Sequence, residues 1–504
     1  MAAAPDPAAA SPPEPEPART ALAGPVRVRF APSPTGFLHV GGARTAIYND
    51  LLRQSLGGAY VLRIEDTDRA RSDEAMTRGI EEALRWIGVE WDEGPFLQSE
   101  RLPRHLERAR ELLESGKAYR CFCTPEQLDP QRREAERQGR TFRYPRTCAE
   151  IPLAEAAARQ AAGEPAAVRF RMPDAPVRFT DLVRGEVVFD HEVLDDFVLL
   201  RSDGTPTYHM SVVADDVDMG ITLVLRGEDH LSNTPKHVRL FEAFGAPLPR
   251  FGHLSLILGA DKKKLSKRTG NTAVEEFRAQ GILPEALYNF LALLGWSPGD
   301  DRELMSREEM VAAFTVDRLA GAAAVFDPEK LLWMNGQYLW KLPVPELACR
   351  TAPFAAELGL SREEIASPLF MQAVELQRLR ARTLRELAEG VRPYFTHELG
   401  YEEAASRKYL ATPGLTELLD ELASRWAAAE PWSKERLEEL LRELATERGV
   451  KAAALIHPAR MALSATTAGP PLFDLVEVLG RESVARRLSR YRESLAALAQ
   501  APVG

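Results

Sequence analysis

The chain has 504 residues, too many for one ordinary core, so several domains are expected. Its composition, 45% hydrophobic and 27% charged, is that of a soluble globular protein, and no apolar run approaches the length that spans a bilayer, so no membrane partner is expected. The formal net charge of -10 disfavours a simple basic coat on nucleic acid but not an RNA partner, which needs only local basic surface.

Residues 1–24 are rich in Ala and Pro, with Asp6, Glu14, Glu16 and a single basic residue, Arg19. They lack the basic start and apolar core of a secretory signal and the Arg-rich, acid-poor character of a mitochondrial presequence. The expectation is a disordered tail on a cytoplasmic protein. Order begins with the alternating strand pattern Val26-Arg27-Val28-Arg29-Phe30, stopped by the turn cluster Pro32-Ser33-Pro34-Thr35-Gly36. A helix is predicted from about Gly42 through Leu52, then a strand over Tyr60–Ile64 that ends in the polar run Glu65-Asp66-Thr67-Asp68. Strand, helix, strand with polar residues at the carboxyl ends predicts a doubly wound, Rossmann-like α/β sheet whose ligands sit at those ends.

The pattern changes from about Tyr119 to Tyr208. A cysteine cluster comes first, then a helical piece around Leu153–Ala162, then short strands at Ala167–Met172 and Val187–Phe189. This reads as an inserted α+β module. The α/β pattern resumes with the strand Thr222–Arg226 and a helix after Asn233-Thr234-Pro235, and from about Pro328 helical periodicity takes over, as in Pro431–Ala453. The expected organisation is a tail over 1–24, the first half of a nucleotide-binding domain over 25–118, the inserted module over 119–208, the second half over 209–262, a connecting region over 263–344 and an all-α region over 345–504.

Four cysteines in so long a chain are no disulfide framework. Cys121, Cys123 and Cys148 fall together, the third 25 positions after the second, a spacing that suits either a zinc site or three reduced thiols in a metal-free module. Cys349 stands alone and is expected to be a small core residue.

Two short stretches carry chemistry. In Pro32 to Gly42 the turn and the glycines Gly41 and Gly42 let backbone approach a phosphate chain, a helix start aims free N–H groups at an anion, and His39 adds a donor. In Lys262 to Arg268, Ser266 sits between Lys264 and Lys267, and mobile lysines could clamp a triphosphate and offset charge on leaving pyrophosphate. Alone, the first is a weak match and the second reads rather as a solvated basic loop.

Taken together and in this order, His39-Val40-Gly41-Gly42 and Lys264-Leu265-Ser266-Lys267-Arg268 resemble the HIGH and KMSKS signatures of class I aminoacyl-tRNA synthetases. Arg29 to Gly36, Arg63 to Asp68, Tyr208-His209 and Leu225 to His230 look like the glutamyl/glutaminyl subgroup. Phe326-Asp327 and Leu332 to Gly336 look like bacterial and organellar glutamyl enzymes, and the resemblance covers about residues 26 to 500. It implies that ATP and L-glutamate form glutamyl-adenylate, with Mg2+ accompanying ATP, and that the glutamyl group passes to the 3' end of tRNA(Glu). It also implies that the inserted module holds the acceptor end, that the KLSKR loop region contacts the stem, that the helical end reads the anticodon, and that the chain works as a monomer.

The resemblance assigns roles residue by residue. His39 and Lys267 are the catalytic residues, acting as transition-state stabilisers. Arg29, Ala31, Ser33, Glu65, Tyr208 and Arg226 hold glutamate, the arginines because a guanidinium can take a carboxylate bidentately. His39, Gly41, Gly42, Glu228, Lys264, Ser266, Lys267 and Arg268 bind ATP. Arg380, Arg442 and Arg460 contact the anticodon, although each also reads as part of a solvated helix face. Some bacterial glutamyl enzymes carry zinc in the insertion, and Cys121, Cys123, Tyr144 and Cys148 form the implied ligand set, since Glu150 stands where some relatives have histidine. Val212 departs from members that place asparagine there, which removes one amide from the pocket. The rivals differ in what they predict: a truncated relative that modifies a tRNA base would lack the carboxyl-terminal third, and a general adenylyltransferase would need no anticodon module. A glutaminyl enzyme would carry β-barrel anticodon domains; a non-discriminating enzyme would also charge tRNA(Gln) with glutamate; a non-catalytic tRNA-binding paralogue would be expected to lose His39, Gly41 or Lys267.

Overall fold

The computed structural model describes residues 26–67, 73–140, 142–265, 272–396 and 399–500, which fall into two compact units. The expected tail over 1–24, and Ser266, Lys267 and Arg268, lie outside the described residues. The first unit takes in residues to Glu276 and then Tyr288–Asp327; the second takes in Phe277–Leu287 and everything from Pro328.

The first unit is the expected α/β domain. Strands Val26–Phe30, Gly58–Ile64 and Glu93–Leu97 are parallel, with Val26 opposite Gly58 and Phe30 opposite Leu62. The first two are almost wholly buried along their apolar runs, as parallel strands covered on both faces must be. A second sheet, Leu223–Gly227 beside Arg250–Leu254, abuts the first, where the Thr222 N–H donates to the Arg27 carbonyl at 3.0 Å. The helix Val40–Leu56 begins directly after its cap His39, slightly before the expected Gly42.

The second sheet corrects one boundary. The hairpin Val177–Asp181 and Gly185–Phe189, expected within the inserted module over 119–208, extends the catalytic sheet, Asp181 pairing with Phe251 on Arg250–Leu254. What stays separate is the antiparallel sheet of Ala118–Cys121, Ala167–Phe170 and Val198–Leu200 with a small core of its own around Tyr119, Cys121, Tyr144 and Cys148.

The second unit has no strand among its described residues. Its helices close on one leucine-rich core in which Trp426 is fully buried and donates its indole N–H to the Leu437 carbonyl at 2.9 Å. Leu283 and Ala286, from the early segment, belong to the same core, and the Leu283 N–H donates to Asn335 Oδ1 at 2.7 Å. Cys349, expected in the core, is exposed: on helix Val344–Glu357 the buried positions are Leu347, Ala348, Thr351 and Ala355, and Cys349 falls off that face.

Candidate functional site

The carboxyl ends of Val26–Phe30, Gly58–Ile64, Leu223–Gly227 and Arg250–Leu254 open on one cavity of about 450 Å³, where an α/β sheet binds its ligands. Of the residues expected there, Arg29, Ala31, His39, Gly41, Gly42, Glu65, Tyr208, Arg226 and Lys264 line it. Ser33 lies in adjoining cavities that share Glu65 and Tyr208.

Glu228 sits differently. Its carboxylate accepts the Leu256 N–H at 2.9 Å and pairs with Arg184, while its neighbours Asp229 and His230 line the cavity. Val212 is fully buried in helix Tyr208–Asp218.

His39 caps the helix Val40–Leu56. Its backbone is extended (φ −79°, ψ 149°) and its Nδ1 accepts the Gly41 N–H at 3.1 Å, which leaves Nε2 to carry the proton of the neutral ring. Gly42 follows where packing is tight: a Cβ there would stand 3.2 Å from Leu38 Cδ1 and 3.5 Å from Phe30 Cζ. The helix start thus gives the cavity its positive end. Lys264 comes from a turn in which Lys262 takes φ +59° and the Leu265 N–H returns to the Ile257 carbonyl at 3.1 Å.

The two arginines differ in how their charge is met. Arg29, 4% exposed, donates to Asp216 Oδ1 at 3.3 Å, and the same oxygen takes Arg63 Nη1 at 2.7 Å. Arg63 in turn lies 3.6 Å from Glu65. Arg226, 6% exposed, meets only neutral acceptors among the described residues. Its Nε donates to His253 Nε2 (3.2 Å), Nη1 to His237 Nδ1 (3.3 Å) and Tyr208 Oη (3.4 Å), and Nη2 to Thr234 Oγ1 (2.9 Å) and the His230 carbonyl (3.3 Å).

Burial lowers the pKa of Arg226 yet leaves a guanidinium charged at neutral pH. Burial pulls the His237 and His253 rings that face Arg226 below the ordinary imidazole range, and takes His209 down to about 3 and His230 to about 4, so the rings around Arg226 stay neutral. It pushes Tyr208 up to about 12, keeping it a hydroxyl donor. Glu65 is raised, chiefly by burial, so an incoming ammonium would favour its ionised form.

Sequence reasoning missed Asp216, Asp181, Thr234, His237 and His253. All lie at 2% exposure or less, and each meets Arg29 or Arg226 directly or through one intermediate side chain. The only hint was the nearness of Thr234 and His237 to the Leu225–His230 stretch.

The four residues of the implied zinc set come together. The three sulfurs lie within 4.8 Å of one another, with Cys123 and Cys148 Sγ 3.7 Å apart. Tyr144 Oη is 3.3 Å from Cys121 Sγ and 3.4 Å from Cys123 Sγ. Sulfur–zinc bonds of about 2.3 Å in a tetrahedron put sulfurs about 3.8 Å apart, so the donors fit one zinc ion with little movement. Glu150 is exposed and faces Arg171 at 3.6 Å.

In the helical unit a cavity of about 540 Å³ is lined by Arg380, Tyr394 and Arg487 among others. Arg460 borders it through a hydrogen bond to the Pro470 carbonyl, while Arg380 makes no ion pair among the described residues. Arg442 lies on helix Lys434–Glu447, paired with Glu438 at 2.6 Å on an acidic face with Glu435, Glu439 and Glu443.

Comparison with known proteins bears on both units. The family model for the catalytic domain of "tRNA synthetases class I (E and Q)" matches residues 25–333, and one for an "anticodon binding domain" matches residues 346–492. A glutamate–tRNA ligase of Geobacter sulfurreducens is 46% identical over 92% of this chain and 98% of its own length. One of Caldanaerobacter subterraneus is 43% identical over 92% and 97%. The crystal structure of a glutamate tRNA ligase from Elizabethkingia meningosepticum, in complex with its amino acid, superposes with a TM-score of 0.85 at 35% identity, covering 94% of this chain and all of that one.

Proposed function

We infer the reaction from family: the chain belongs to the class I tRNA synthetases of the glutamate and glutamine group, and it is a glutamate–tRNA ligase. It activates L-glutamate with ATP to glutamyl-adenylate and passes glutamate to the 3' end of tRNA(Glu). The observation that carries the choice of glutamate is Arg226, a buried cation with no carboxylate partner among the described residues, at the mouth of the catalytic sheet. A substrate carboxylate completes it, and a neutral amide does not.

The binding roles follow from the cavity. Arg226 and Arg29 take the side-chain carboxylate, Glu65 the ammonium, and Tyr208 a substrate oxygen. Ala31 and Ser33 contribute backbone and hydroxyl contacts. The helix start at Gly41 and Gly42 faces the ATP phosphates, with His39 donating from Nε2 to charge developing there. Lys264 and, from sequence, Ser266, Lys267 and Arg268 offset the charge on pyrophosphate. Glu228 acts at one remove, fixing the Leu256 backbone beside the nucleotide. Mg2+ accompanies ATP through phosphate oxygens and water; apart from the cysteines, the described residues hold no cluster of metal-ligating side chains to cage it.

Arg380 and Arg460 serve the anticodon from the helical unit, with unstacked single-stranded bases as the natural target. Arg442, held on an acidic face, contributes there only if its pair with Glu438 opens. One chain carries both the cavity and the anticodon-type unit, which suits a monomer working in the cytoplasm, where ATP and tRNA are at hand.

Aminoacylation with each purified tRNA in turn tests the reading. Glutamate is expected on tRNA(Glu); charging on tRNA(Gln) as well would make the enzyme non-discriminating. Charging of glutamine with none of glutamate would overturn it.

Zinc held by Cys121, Cys123, Cys148 and Tyr144 would staple the inserted module. Without metal, burial and the thiol hydrogen bonds push the Tyr144 phenol up; a bound dication reverses that order. Purified protein is expected to contain about one zinc per chain, and Tyr144→Phe to release it at lower chelator concentration. A wild-type content near zero rejects the site.

A further inference from the structure

The buried side chains behind Arg226 form a chain of hydrogen bonds anchored on the Asp181 carboxylate. Asp181 Oδ2 lies 2.5 Å from His253 Nδ1. Burial raises the Asp181 pKa, but His253 and the Val183 and Arg184 N–H groups outweigh it, and the carboxyl ends below its ordinary value. A carboxylate can only accept, so His253 carries its proton on Nδ1 and presents a lone pair at Nε2. That lone pair receives Arg226 Nε at 3.2 Å and the Thr234 hydroxyl at 2.9 Å.

Thr234 Oγ1 also accepts Arg226 Nη2, which its hydroxyl geometry permits. On the other edge, His237 Nδ1 accepts Arg226 Nη1, so its proton sits on Nε2 and is given to His209 Nδ1 at 3.2 Å. His253 and His237 come from the neighbouring strand Arg250–Leu254 and the helix Thr234–Phe244, and neither lines the cavity. The two longest Arg226 contacts on the cavity side, to Tyr208 Oη and the His230 carbonyl, are the ones a substrate carboxylate would replace.

We propose that Asp181, His253, Thr234 and His237 are positioning residues that set glutamate affinity: they hold the Arg226 guanidinium by its rear donors, in one orientation, without neutralising it. The proposal rests on the reading that Arg226 binds the substrate side chain. An aspartate in place of either histidine would orient the guanidinium equally well but cancel its charge. Neutral acceptors orient it and leave the charge for the ligand.

The test is glutamate-dependent pyrophosphate exchange by the full chain. Asp181→Asn keeps the size and the oxygen that takes the Val183 and Arg184 N–H groups but turns an amide donor to His253. The ring then carries its proton on Nε2 and opposes Arg226 donor to donor. Asp181→Asn, His253→Leu and His237→Leu are each expected to raise the KM for glutamate about tenfold or more, while kcat and the KM for ATP stay within about twofold. His253→Gln and His237→Asn return an acceptor to the place of Nε2 and Nδ1, and are expected to recover to within about threefold of wild type.

A merely structural role would raise both KM values together and leave the amide variants no better than the leucine ones; either result overturns the proposal. Should the leucine variants fail to fold, Asp181→Asn against His253→Gln still decides. Wild-type exchange with glutamate reports on the functional reading alone, so its failure is distinguishable from failure of the clamp.

Discussion

Replacing Arg226 with alanine is expected to lower kcat/KM for glutamate by about a hundredfold or more while leaving the KM for ATP near its wild-type value. The side chain is 6% exposed and lies at the carboxyl end of strand Leu223–Gly227. A glutamate carboxylate entering this cavity gives up water and, without Arg226, would face Arg29 already committed to Asp216. Truncating one partner of a buried, hydrogen-bonded charge pair costs about 2–5 kcal/mol, or about thirtyfold to several thousandfold. Arg226→Lys is expected to recover little, because a point charge on a flexible stem cannot keep the fork that His237, Thr234 and His253 hold. Steady-state pyrophosphate exchange at varied glutamate measures this, and a change below about threefold would remove Arg226 from substrate binding.

His39→Ala is expected to slow adenylate formation by about a hundred- to a thousandfold, the usual effect of losing one donor at developing charge. It should also cost stability, because Nδ1 caps Gly41, and loss of such a cap costs about 1 kcal/mol. His39→Asn separates the two. Asparagine is a strong helix cap, so the melting temperature should return toward wild type, while the rate stays low because its amide cannot place a donor where Nε2 was. Full recovery of rate in His39→Asn would make His39 a structural cap and nothing more.

Much of the site was legible because its residues lie in short contiguous motifs. Arg29, Glu65, Tyr208 and Arg226 occupy strand ends or the first turn of a helix, and the resemblance could assign them because each lies within a contiguous matching stretch. The three cysteines were legible from spacing, Tyr144 only through the resemblance, and the helical end from its periodicity. What the sequence withheld is pairing across distance. Asp216 meets Arg29 from 187 positions away, and Asp181 meets His253 from 72. Those contacts depend on which strand lies beside which, and the order of the second sheet turns on the hairpin Val177–Phe189 joining it, which no periodicity announces. Cys349 failed for a simpler reason: a lone small residue carries no phase information about which helix face it occupies.

The division of the chain also constrains how the protein could be taken apart. The backbone passes between its two compact units at 276/277, 287/288 and 327/328. A fragment beginning at Pro328 would therefore leave behind Leu283 and Ala286, two apolar side chains of the helical core, and would strand the buried Asn335 Oδ1 that the Leu283 N–H satisfies. Exchanging the helical unit between relatives needs two coordinated grafts, the segment 277–287 and everything after 327, and a hybrid joined at a single point would inherit a mismatched core.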